Sequence, residues 1–147
     1  MFVGLSFIAT LFLPNVFSSS IRQEADLPQV ADGNFVLHVA TEETTVEVKV
    51  FIDDVLAAYV SFQKLGGFTH TSIPSYEVYA FNLSEGLHHL RAESINPKKE
   101  FQADFVVEKK KQWAFLYYTD VQKYGASSSS KLKPFSLRIS NQEIFYE

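Results

Sequence analysis

The sequence predicts an all-β chain, folded as an antiparallel β-sandwich of seven to nine strands, and three observations carry that prediction. Apolar and polar residues alternate in short runs, the pattern that sends successive side chains to opposite faces of a strand. Clusters of Gly, Pro, Asp and Asn separate these runs at intervals of about eight to twelve residues, the spacing of sandwiches and barrels. Large aromatics are abundant, 14 Phe and 7 Tyr among 147 residues, and they pack well on a pleated, half-buried surface. No segment shows convincing amphipathic-helix spacing, which argues against βαβ architectures.

The elements follow in order. Met1 to Ser20 carries no charged side chain, and Phe2 to Leu13 is almost wholly apolar before Pro14 and the small residues Ser18, Ser19 and Ser20. An apolar run of this length ending in small residues resembles a secretory signal peptide and is too short to span a bilayer stably. No Lys or Arg precedes it, and the competing reading is a buried first strand. With Val16 and Ser18, or Ser18 and Ser20, at the small positions, residues 1–20 are expected to be a signal segment. Residues 21–34, with Pro28 and the turn signal Asp32-Gly33-Asn34, then read as a lead-in to a single domain over 35–147.

Within that domain Phe35–Ala40 is the first candidate strand. Thr45–Asp53 alternates most clearly: Val46, Val48, Val50 and Ile52 point one way, Glu47, Lys49 and Asp53 the other, with Phe51 breaking the polar face. Asp53-Asp54 starts a turn and Val55–Phe62 returns. Lys64–Ser75, holding Gly66-Gly67 and Pro74, is a loop. Tyr76–Leu83 and Leu87–Ser94 read as antiparallel neighbours joined through Gly86, a residue that accepts the positive φ such turns require. Asn96-Pro97-Lys98-Lys99 turns the chain into Phe101, Ala103, Phe105 and Val107 on one face. Lys109-Lys110-Lys111 turns it again into Gln112–Asp120. Gly125 to Ser130 reads as a flexible loop before Leu132–Ser140, and Ile144-Phe145-Tyr146 closes an edge.

Composition narrows the function. The chain is 46% hydrophobic and 20% charged, enough for one core, and its net charge of −4 lacks the basic footprint of a nucleic-acid binder. There is no Cys, which removes disulfides, thiol catalysis and Cys-based metal sites. No Gly-x-Ser-x-Gly elbow and no Gly-rich phosphate loop occur. No cofactor is expected.

The order of strand, Phe51-Ile52-Asp53-Asp54, strand, then Leu83-x-x-Gly86-x-His88-x-Leu90, a strand from Phe101 and an aromatic strand at Trp113 resembles small bacterial envelope sandwiches of the PEGA type and related immunoglobulin-like modules. The likeness covers roughly residues 45–120. Asp54 stands where the family has Gly, and the chain continues past the family's usual end. The resemblance implies a non-catalytic extracytoplasmic module that binds or spaces, and carries over no functional residue.

The candidate sites are few. His70, His88 and His89 with Asp53, Asp54 and Glu93 suggest a metal cluster on paper, but adjacent strand residues His88 and His89 face opposite sides of a sheet. The expectation is that His88 packs at a sandwich corner and His89 lies on the surface. Asp53-Asp54 is read as a turn rather than a calcium site or a catalytic carboxylate pair. Among the aromatics, Trp113, Phe115 and Tyr117 share one face and suggest core. Tyr79 and Tyr118 are assigned to an opposite, open face, so that Tyr79, Tyr118 and Trp113 are the candidate ligand contacts. Asn82-Leu83-Ser84 matches the glycosylation acceptor pattern of eukaryotic secretory proteins. The expected protein is thus secreted, periplasmic or in the cell envelope, a binding module for a protein or glycan at the cell surface. A carbohydrate-binding module is the first alternative, and a small hydrolase or metal enzyme the second.

Overall fold

A computed structural model describes residues 19–43, 45–63, 75–120 and 133–143. They form nine strands: β1 (Ser19–Arg22), β2 (Phe35–Thr41), β3 (Thr45–Ile52), β4 (Val55–Gln63), β5 (Ser75–Phe81), β6 (Gly86–Ser94), β7 (Lys99–Val107), β8 (Gln112–Tyr118) and β9 (Phe135–Ser140). Two sheets result, β1-β4-β3-β6-β7 and β5-β2-β8-β9, packed face to face as a β-sandwich. The flexible loop placed at 125–130 and the edge strand placed at 144–146 lie outside the described residues, as do His70, most of the 64–75 loop and residues 1–18.

The core is what period-two alternation dictates. Val46, Val48, Val50 and Ile52 of β3 are all buried, facing Phe35, Leu37 and Val39 of β2 across the interior. Phe35 stacks on Phe105 at 4.9 Å between ring centroids, and Tyr118 packs against Phe135 at the same distance. Phe51, which interrupts the polar face of β3, is half-buried on the outside beneath the Arg91 guanidinium, 3.9 Å from its ring centre.

Two expectations require correction, and one strand is additional to those the sequence announces: residues 19–22, at the junction of the expected signal segment and lead-in, form β1 on the edge of the five-stranded sheet. Four residues carry too little periodicity to announce a strand. The Tyr76–Leu83 and Leu87–Ser94 runs are not paired: β5 and β6 lie in different sheets, and the segment between them crosses the sandwich. Finally, the four-stranded sheet is mixed, because β2 pairs with β8 in parallel as well as with β5 antiparallel. Only a crossover spanning the other sheet brings β2 beside β8, and alternation within a strand says nothing of its neighbour's direction.

The turns explain the remaining punctuation. Asp53 and Asp54 have φ of 50° and 64°, the left-handed pair of a two-residue hairpin in which Asp is tolerated and Gly is usual. Gly33 is required for contact: a Cβ there would lie 2.2 Å from the carbonyl oxygen of Phe81. Buried Gln112 braces the lysine turn, accepting from the Glu108 amide at 3.0 Å and donating to the Val106 carbonyl at 3.3 Å. No helix among the described residues is long and apolar enough to cross a membrane.

Candidate functional site

The two outer faces of the sandwich differ in chemistry. On the five-stranded sheet the exterior presents Glu47, Lys49, Tyr59, His89, Arg91, Glu93, Gln102 and Asp104, much of it internally paired, together with Phe51 and, at the end nearest Gly86, the exposed pair Leu87 and Val106. Lys49 lies 4.8 Å over the Tyr59 ring, His89 meets Asp104 at 2.7 Å, and Arg91 pairs with Glu93.

The exterior of the four-stranded sheet is apolar and aromatic. The strand registers align it in three rows across β5, β2, β8 and β9: Ala80, Val36, Trp113, Ser140; then Val78, His38, Phe115, Arg138; then Tyr76, Ala40, Tyr117, Ser136. Phe115 and Tyr117 stack at 6.0 Å with 17° between planes, and His38 lies 6.4 Å from Tyr76. Lys111 reaches over Trp113 from the edge at 5.6 Å. Val36, His38 and Ala40 are buried, Trp113, Phe115 and Tyr117 half-buried, and Tyr76 is 46% exposed. Burial pushes the His38 imidazole below its ordinary pKa, against the opposing pull of Glu143.

This arrangement inverts the assignment of the aromatics. Tyr79 and Tyr118 are each 1% exposed and belong to the core, so they are not surface contacts. Tyr79 is opposite Leu37 in the β2–β5 register, and Tyr118 is opposite Thr41 in the β2–β8 register. Burial drives the Tyr79 phenol up to about 12, and the Arg22 guanidinium lies 4.6 Å over its ring. Trp113 is the one proposed contact on an outer face, joined there by Phe115 and Tyr117, which spacing had given to the core. Both parities of Gln112–Tyr118 are apolar, so alternation alone leaves the choice between faces undetermined.

The polar cluster gathers at one end. His88 is buried and His89 half-exposed, on opposite faces as strand geometry requires. The Nδ1 of His88 meets a carboxylate oxygen of Asp53 at 2.6 Å, and its Nε2 meets the carbonyl oxygen of Ser84 at 2.8 Å. The other Asp53 oxygen accepts from the His89 amide at 2.9 Å, and the Asp53 amide donates to the His89 carbonyl. Asp53 therefore ties the β3–β4 hairpin to β6. Its carboxyl is held below the ordinary 3.8, burial being outweighed by the His89 amide and by His88. Among the described residues no three His, Cys, Asp or Glu side chains are placed to hold a metal ion.

No family model matches the chain, and no curated protein or solved structure is similar to it.

Proposed function

We propose that this protein is a non-catalytic module of the cell envelope or the extracellular space, which binds a protein or glycan through the outer face of its four-stranded sheet. The observation that carries this reading is the contrast between the two exteriors. One is largely charged and internally paired, with Leu87 and Val106 exposed side by side at one end; the other aligns Tyr76 and Val78 of β5 and Trp113, Phe115 and Tyr117 of β8 on either side of β2. Apolar and aromatic side chains concentrated on one sheet exterior are the composition of contact surfaces, where Trp and Tyr provide large, rigid area. The apolar start of the sequence supports an extracytoplasmic location. Within it, cleavage after Ser18 leaves β1 whole whereas cleavage after Ser20 divides it, which favours the former. The likeness to PEGA-type modules belongs with this proposal and rests on the sequence motifs alone.

A photoreactive amino acid at position 115 tests the reading against the same group at position 102 on the charged exterior. On intact cells, intermolecular crosslinks from 115 and none from 102 are expected. Equal crosslinking from both, none, or only intramolecular products from 115 would refute it. A second reading, carbohydrate binding, is favoured by the stacked Phe115 and Tyr117 rings beside Trp113, since planar aromatics in file suit sugar rings. Glycan-array binding lost in Trp113→Ala and Phe115→Ala would establish it, and no binding by the wild type would remove it.

A further inference from the structure

The His88 ring has an acceptor at each nitrogen. A backbone carbonyl has no proton to give, so the Nε2 facing Ser84 must carry a hydrogen. Asp53, whose carboxyl is ionised at neutral pH, faces Nδ1, and the 2.6 Å separation calls for a hydrogen there also. A neutral imidazole has one N–H; the imidazolium has two. The geometry thus selects the cation, although the ring is buried and stacks on Phe105 at 5.6 Å.

The location gives the proton a mechanical role. Residues 82–85 carry the chain from β5 in one sheet to β6 in the other. Leu83 is held by Asn34, whose side chain donates to its carbonyl at 2.7 Å and accepts from its amide at 2.9 Å. Ser84 is held by His88, and Gly86 has φ of 123°. We propose that His88, Asp53 and Ser84 form a pH-operated latch: the imidazolium ties the Ser84 carbonyl to the β3–β4 hairpin, and loss of one proton breaks one of its two links, leaving Asn34 to hold the crossing at Leu83.

The charged groups on the elements around His88 are few. The hairpin contributes Asp53 and Asp54, and the crossing contributes Glu85. On β7 Asp104 pairs with His89 on the opposite face of the sheet. Among the charged groups of the described residues, Asp53 is the one that meets the ring. Burial by itself pushes the imidazole pKa down, and the Ser84 carbonyl and Asp53 more than offset it, so the group lies above its ordinary 6.5. A pKa raised on folding stabilises below the unfolded value, and that contribution is lost as pH rises through the folded one. The latch is closed in acid and opens on the alkaline side.

Three measurements decide it. Nitrogen shifts of the His88 ring should show both nitrogens protonated at about pH 6, with titration above the ordinary histidine range. In Asp53→Asn the amide oxygen still accepts from the His89 amide and Asn tolerates the left-handed turn, while the carboxylate is gone. That variant should titrate His88 at lower pH than the wild type. The melting temperature of wild type over His88→Gln should exceed it by about 3–6 °C at about pH 5.5 and by less than half of that at about pH 9. A neutral ring at about pH 6, a titration unmoved in Asp53→Asn, or parallel melting curves would each overturn the latch. Should His88→Gln fail to fold, the two ring titrations decide.

Discussion

At the scale of single residues, the two glycines that matter do so for different reasons. Gly33 provides space, because a methyl group there meets the Phe81 backbone at 2.2 Å, and backbone cannot rotate away. Gly86 provides conformation: nothing lies within 4 Å of its missing Cβ, but its φ is 123°. Gly33→Ala should therefore cost about 2–3 kcal/mol as an overpacked contact, and Gly86→Ala about 1–2 kcal/mol as backbone strain. Denaturant unfolding measures both, and the order is the test: equal or reversed losses would mean that the close approach at Gly33 is relieved by movement of β5. The value of Gly86 was legible from its turn-like setting. That of Gly33 was not, since its partner is distant in sequence.

At the scale of elements, strands were legible and their faces only partly so. β3 has one apolar and one polar parity, and its buried set is the one its alternation announces. β8 has two apolar parities, and the register with β2 decides between them by placing Ala114, Leu116 and Tyr118 beside Leu37, Val39 and Thr41. The burial of Tyr79 and Tyr118 follows from that register. Leu116→Asn should then cost about 3–5 kcal/mol, because it buries an unsatisfied amide in place of a packed side chain, and Trp113→Gln no more than about 1–2 kcal/mol. Chemical denaturation of the two variants reads the parity directly, and a larger loss at 113 would restore the opposite assignment. β1 has no signature of its own in the sequence, because four residues without strong alternation acquire their structure only from pairing, with Arg22 opposite Val60 and Ser20 opposite Phe62 on β4.

At the scale of the whole molecule, the sandwich is closed along both sides by long-range contacts. On one side Arg22 of β1 reaches Glu77 of β5 at 2.5 Å and donates to the Val78 carbonyl at 2.6 Å, with Ser20 on the same carboxylate. On the other, Phe101 of β7 packs on Phe135 of β9 at 6.1 Å. Arg22 is partly exposed, so its ion pair is screened, but its guanidinium also covers the Tyr79 ring. Arg22→Ala should lower stability by about 1–2 kcal/mol, whereas Arg22→Lys should recover less than half, because an ammonium cannot serve carboxylate, carbonyl and ring together. Full recovery by Lys would reduce the clasp to simple charge. The sequence by itself determined the all-β class, the strands β2 to β9 and the surface position of the lysine turn, because local alternation and turn chemistry are properties of neighbouring residues. Only the tertiary structure decided which strands share a sheet, that β2 runs parallel to β8, which aromatics face outward, and that Asp53 meets His88. Those facts depend on registers between segments far apart in the chain, and a period-two pattern that is apolar on both parities is equally consistent with either face.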